Sequence, residues 1–97
     1  MIDYRFTLYV AGTGASSSAA VESFRRLCEE RLPPGRYAIE VVDVLEAVEE
    51  ADAARVLVTP TVVRTRPLPV LRVVGDLSAA TKVAGVFSLP EARSGRV

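Results

Sequence analysis

The chain has 97 residues, close to the commonest size of a single domain, and 49% of them are hydrophobic, with few aromatics among them. Twelve acidic and twelve basic residues cancel, and this balance disfavours both a nucleic-acid groove and a polybasic membrane patch. One cysteine and no histidine exclude an internal disulfide and every motif that needs a second Cys or a His.

The first half of the chain predicts a βαβ unit. Residues 4–11 alternate between apolar and polar positions, which predicts a strand with its even-numbered residues on one face. A helix with an apolar stripe is predicted from about Ser17 or Ser18 to Leu32, and Pro33-Pro34-Gly35 ends it. Residues 37–45 are almost continuously apolar, which is typical of a strand covered on both faces. The two strands are therefore expected to be parallel, with a right-handed crossover.

The second half predicts a short helix, a hairpin and a last segment of ambiguous type. Residues 46–55 are rich in Ala and Glu and predict the short helix. The β-branched runs within 61–74 flank Arg66-Pro67-Leu68-Pro69 and predict a hairpin, because prolines fit a turn that needs no ladder N–H. Gly75-Asp76-Leu77-Ser78 predicts a turn that ends in a helix N-cap. Residues 78–89 fit a helix and a strand almost equally well.

These elements, in the order βαβαββα, predict a thioredoxin-like α/β fold. Thr59-Pro60-Thr61 enters the hairpin either as a cis-proline loop or as a simple strand-initiating proline. The loop of residues 12–18 lies where a thioredoxin carries its Cys-X-X-Cys, and here it holds no cysteine. Cys28 lies on the apolar stripe of the first helix, which indicates an inert buried thiol. Disulfide chemistry is therefore not expected.

The same glycine- and serine-rich loop has a second interpretation as a phosphate-binding loop. It follows a strand and opens a helix, and Asp43 imitates the acidic ribose contact of a dinucleotide fold. However, the third glycine and a Gly-Lys-Ser/Thr motif are missing, and a turn followed by a serine N-cap explains the residues equally. The carboxylates form no pattern with a base or a metal ligand. We expect no catalytic residue, no cofactor and no metal.

Charge is distributed unevenly along the chain. Every charged residue in 40–52 is acidic, whereas those in 55–82 are basic except for Asp76. This is either ordinary solvated surface or a polarised face that orients a protein partner. No signal peptide and no apolar run of about 20 residues is present, so we expect a cytoplasmic domain spanning 1–97, with a flexible tail from about residue 91.

Several blocks of sequence resemble the KaiB family of circadian clock proteins. The blocks are Leu8-Tyr9-Val10-Ala11-Gly12, residues 37–45, Thr59-Pro60-Thr61, Pro67-Leu68-Pro69-Val70 and Gly75-Asp76-Leu77-Ser78. The resemblance implies a non-enzymatic protein that binds a KaiC-type ATPase, draws in a KaiA-like protein and competes with a histidine kinase. It also implies a metamorphic chain, which alternates between a thioredoxin-like state and a resting fold and is either a monomer or a homo-oligomer (dimer or tetramer).

The resemblance also implies two groups of functional residues. The residues expected to contact the ATPase are Tyr37, Ala38, Glu40, Arg55 and Arg64. The residues expected to shape the half that rearranges are Pro60, Gly75 and Asp76. At Glu40 this chain has a negative charge where the family commonly has a lysine. An alternative from another class is a thioredoxin-like adaptor or sensor module without redox activity, which would act in stress or other signalling independently of KaiC.

Overall fold

The computed structural model describes residues 2–91, and its elements follow the predicted order. The strands are β1 (Tyr4–Val10), β2 (Tyr37–Asp43), β3 (Thr61–Arg66) and β4 (Leu71–Val74). The helices are α1 (Ala15–Arg31), α2 (Val48–Ala53) and α3 (Ala80–Phe87). Beyond Glu91, the tail that the sequence predicts to be flexible lies outside the described residues. Within residues 2–91, no helix combines the length and the apolar character that crossing a membrane requires.

The strands form one mixed sheet in the order β2-β1-β3-β4. β1 pairs in parallel with β2 through the predicted βαβ connection, and it pairs antiparallel with β3. β3 and β4 form the predicted hairpin. In this register Thr7 lies between Glu40 and Val63, so all three side chains belong to the same face of the sheet. The thioredoxin-like topology predicted from the sequence is therefore confirmed.

The main core lies between one face of the sheet and the helices α1 and α3. Its buried residues are Phe6, Leu8, Val10, Ala20, Phe24, Leu27, Cys28, Leu32, Val62, Val73, Leu77, Val83, Ala84 and Phe87. Phe6 lies at the centre, with its ring centroid 4.9 Å from that of Phe24 and 5.4 Å from that of Phe87. The even-numbered residues of β1 supply this face, as their alternation predicts.

The opposite face of the sheet is covered only in part. Tyr9, Val42 and Val63 form a second, smaller core beneath the segment that contains α2. Arg5 and Glu40 also belong to this face and remain exposed. We call the uncovered part the open face, and it places side chains from several strands in solvent beside α2.

The prediction that β2 is covered on both faces was wrong. β2 is an edge strand, and Val42 is its one buried residue, while the Val41 side chain is 42% exposed. The strand also ends at Asp43, earlier than predicted. The Asp43 carboxylate accepts hydrogen bonds from the Gly12 N–H (2.8 Å) and the Leu45 N–H (2.9 Å), which turns the chain away from the sheet.

The predicted serine cap of α1 was also wrong. The helix begins at Ala15, and its N-cap residue is Gly14, which has no side chain to accept a hydrogen bond. Ser17 lies inside the first turn, where its hydroxyl donates to the Ala11 carbonyl at 2.9 Å. This serine therefore ties the helix to the end of β1 instead of capping it.

The last segment is helical in this structure, although its start differs from the prediction. α3 begins at Ala80 instead of following Ser78 directly, and its N-cap is Ala79. The Ser78 N–H donates to the Asp76 carboxylate at 2.9 Å in the preceding turn. Hydrogen bonds from the Ser78 backbone and side chain lower the pKa of the Asp76 carboxyl. The helix is fixed by burial of one face, where Phe87 inserts into the core.

Candidate functional site

The structure divides the five predicted contact residues between the two faces of the sheet. Ala38 and Glu40 lie on the open face, and Arg55 is exposed directly after α2. Tyr37 is half-buried and packs against the main core on the helix-covered face. Arg64 belongs to that covered face as well. In this fold the five residues therefore do not form one continuous surface.

Arg64 is an internal residue, with only 5% of its surface exposed. Its guanidinium donates to the Phe87 carbonyl at 2.8 Å and to the Pro69 carbonyl at 2.9 Å. These bonds join the C-terminal end of α3 to the hairpin turn. The side chain is therefore not available to contact a partner in this fold.

The segment around α2 exposes several large apolar side chains. Leu45 and Val48 are more than 60% exposed at its start, and Leu57 is 92% exposed after its end. Exposed apolar side chains that concentrate in one region are typical of an interaction surface. We call the exposed side chains of residues 45–58, together with Glu40 on the open face, the α2 surface.

Charged groups from three elements act on the phenol of Tyr9, which belongs to the small core beneath α2. Burial raises the pKa of the Tyr9 phenol, and the carboxylates of Glu50 and Glu40 raise it further. The guanidinium of Arg72 acts in the opposite direction. Carboxylates from α2 and β2 and a guanidinium from β4 therefore influence the same hydroxyl electrostatically. This mixed charge makes the α2 surface suited to selecting a partner by charge.

In the loop that precedes α1, the residues considered for a nucleotide site are used in local structure. Asp43, the candidate ribose contact, instead accepts hydrogen bonds from the backbone of two loops. The small cleft beside this loop is lined by apolar side chains and hydroxyl-bearing residues, among them Ser16, Ser17 and Thr59. None of its lining residues is cationic. The arrangement explains the glycine and serine residues as local structure.

Cys28 is fully buried on the inner side of α1. Burial raises the pKa of its thiol to about 12. At neutral pH the thiol is therefore protonated and shielded from reagents, and it lacks the thiolate character that redox or nucleophilic chemistry requires.

We expect Cys28 to react at least about 100-fold more slowly with a thiol reagent at pH 8 in the folded protein than after unfolding in urea. The Cys28 thiol has its ordinary pKa of 9.0 in the unfolded chain and a pKa of about 12 in the folded chain. Because the unfolded chain loses this proton first, the free energy of unfolding should also fall as pH rises between these values. Time courses with an aromatic disulfide reagent measure the first effect. Equal rates in the two states would show that the thiol is accessible.

The second predicted group of residues meets where the hairpin ends. The Gly75 N–H donates to the Pro60 carbonyl at 2.9 Å, and Gly75 adopts a left-handed backbone with φ of 97°. Asp76 follows in the same turn. The Thr59–Pro60 peptide bond is cis. The structure therefore brings these three residues together, and their role in a rearrangement stays a prediction.

The predicted contact residues include neither Leu57 of the α2 surface nor Arg72, which contacts the end of this segment. The Leu57 side chain projects into solvent, which its apolar character does not indicate. Arg72 donates to the Ala54 carbonyl at 2.7 Å and to the Arg55 carbonyl at 3.2 Å. The alternation of β4 could have identified Arg72, because it places this residue on the opposite face from the buried Val73.

Two solved structures share this fold. The N-terminal domain of Synechococcus elongatus SasA matches with a TM-score of 0.72 and 16% identity, covering 88% of this chain and 79% of that domain. Oxidised mitochondrial thioredoxin 3 of Saccharomyces cerevisiae matches with a TM-score of 0.68 and 16% identity, covering 92% and 81% of the two chains. These similarities establish the fold.

Sequence comparison identifies the family as well as the fold. The family model described as KaiB domain matches residues 7–88. The circadian clock protein KaiB3 of Synechocystis is 36% identical over 85 residues, covering 87% of this chain and 82% of that protein. The circadian clock oscillator protein KaiB of Synechococcus elongatus is 40% identical over 80 residues, covering 82% and 78%. The chain therefore belongs to the KaiB family of circadian clock proteins.

Proposed function

We propose that this chain is a KaiB-like regulatory protein of the cytoplasm, which binds a KaiC-type ATPase and modulates its phosphorylation cycle without catalysing a reaction itself. The observation that carries the proposal is the α2 surface. Membership of the KaiB family supports the choice of partner, because the relatives are named as circadian clock oscillator proteins.

The exposed apolar residues of the α2 surface supply the energetic argument. Full burial of a leucine side chain is favourable by about 1.5–3 kcal/mol. Leu57 is 92% exposed in the isolated chain, so almost all of that stabilisation is available to a complex. The α2 surface also includes the exposed charged residues Glu40 and Arg55, and charges on an interface select and orient a partner.

A KaiA-like protein and a histidine kinase are proposed as further partners, through the family relationship. We also propose that the contact between Gly75 and Pro60 shapes a half of the chain that can rearrange into the resting fold of the family. The Gly75 N–H must then release the Pro60 carbonyl. We propose the monomer as the state that binds, because the α2 surface is exposed in the single chain.

The charge reversal Arg55→Glu is expected to weaken binding to a KaiC hexamer by about tenfold or more, because it adds a negative charge to the proposed contact. The side chain is exposed, so the midpoint of urea unfolding should stay within error of the wild type. Biolayer interferometry with immobilised KaiC and ATP measures the affinity.

The matched control is Arg25→Glu, which makes the same charge change at an exposed position of α1, on the other side of the sheet. This variant should bind like the wild type. Equal losses in the two variants would indicate a long-range charge effect, and unchanged affinity of Arg55→Glu would remove Arg55 from the interface. Failure of the wild type to bind any KaiC-type ring would contradict the proposed function and favour the KaiC-independent adaptor.

A further inference from the structure

The C-terminal end of α2 is closed by its own backbone, because the N–H groups of Arg55 and Val56 donate to the carbonyls of Asp52 and Ala51, both at 3.0 Å. The helix contains only six residues, and helices of this length are unstable without tertiary support. Its last turn has no basic side chain. The chain leaves the helix through Arg55, which adopts a left-handed backbone with φ of 57°. A residue with a Cβ keeps this conformation only when its surroundings hold it there.

Arg72 of β4 supplies donors from the sheet to the next two carbonyl groups of the chain. Its guanidinium donates to the carbonyls of Ala54 and Arg55, at 2.7 and 3.2 Å. Arg72 pairs in the hairpin with Val63, which belongs to the small core beneath α2. The guanidinium therefore approaches the helix from the face on which the helix packs. A cation is also favourable at this end of a helix, where the carbonyl dipoles carry partial negative charge.

We propose that Arg72 is the positioning residue of the α2 surface. By bonding two successive carbonyls, it fixes the C-terminal end of α2 and so sets the direction in which Arg55 and Leu57 face a partner. A planar guanidinium can bridge two acceptors with fixed geometry, whereas a lysine ammonium acts as a point donor. The identity of the partner rests on the proposed function, but the hold of Arg72 on α2 is a property of the free protein.

Amide hydrogen exchange of the free protein tests that hold. The N–H groups of residues 54–56 close the end of α2 through hydrogen bonds to carbonyls within the segment 50–52. In Arg72→Met we expect these amides to exchange about tenfold faster, with a smaller increase in Arg72→Lys and no change in β1. The control Arg66→Met removes another exposed arginine of the same hairpin and should leave them unchanged. Unchanged exchange in Arg72→Met would overturn the proposal.

A double-mutant cycle with a KaiC hexamer separates positioning from direct contact. If Arg72 acts through Arg55, then Arg72→Met and Arg55→Ala should together weaken binding by clearly less than the product of their separate effects. Fully multiplicative losses, both with Arg55→Ala and with Leu57→Ala, would show that Arg72 contacts the partner independently and would overturn the positioning role. If the wild-type chain does not bind KaiC, the proposed function fails, and hydrogen exchange alone decides whether Arg72 holds α2.

Discussion

The substitution Phe87→Ala is expected to lower the free energy of unfolding by about 3–5 kcal/mol. Phe87 is fully buried, and its ring centroid lies 5.4 Å from that of Phe6 and 6.2 Å from that of Phe24. Truncation removes contacts from both rings, and β1 cannot move to fill the cavity because hydrogen bonds fix it to strands on both sides. Urea unfolding monitored by circular dichroism measures the loss, which is a large share of the stability of a typical domain.

The neighbouring residue provides the control. Val86 lies on the outer side of the same helix and is 40% exposed, so Val86→Ala should change stability by less than about 1 kcal/mol. A small loss in Val86→Ala together with a large loss in Phe87→Ala would assign the effect to core packing. Similar losses in both variants would instead show that α3 is marginal as a helix and contributes little through its buried face.

The main core could be predicted because burial on a single face leaves a period in the sequence. Alternation in β1 identified Phe6 as a residue of the inner face, and the helical spacing in α1 identified Phe24 and Cys28. The hairpin was also predictable, since its prolines act locally. These signals need no knowledge of the rest of the chain.

Features that depend on distant residues could not be read in this way. The apolar run of β2 indicated a strand covered on both faces, but strand order left it at the edge of the sheet. Strand order is set by long-range pairing, which local composition does not encode. The predicted starts of α1 and α3 were wrong for a related reason, because Ser17 and Ser78 form hydrogen bonds other than those of an N-cap.

The candidate site was predicted only in part. The family resemblance placed Arg64 on a surface with Arg55, although the Arg64 guanidinium lies inside the protein. A buried arginine contradicts the usual rule for charged residues. It is compatible with this fold because it bonds the carbonyl of Phe87, which lies 23 residues away. That acceptor exists only when α3 is docked on the sheet.

The substitution Arg64→Met is expected to loosen the end of α3 and to lower the free energy of unfolding by about 1–3 kcal/mol. It keeps an unbranched side chain but leaves the carbonyls of Phe87 and Pro69 without this donor. The loss stays moderate because the Arg64 Nε is buried without a hydrogen-bond partner in the part of the chain that the structure describes. Removing the guanidinium relieves that cost.

The position of the effect distinguishes an internal role of Arg64 from a contact role. If Arg64 holds α3, the amides of residues 83–89 should exchange faster in Arg64→Met than in the wild type, by more than any change in β1. The control variant Arg66→Met, which changes an exposed arginine of the same strand, should leave amide exchange in α3 unchanged. Weaker binding to KaiC with unchanged exchange in α3 would support the assignment of Arg64 as a contact. Such a contact requires a conformation in which the Arg64 guanidinium leaves the core, because here it is bonded to the Phe87 carbonyl.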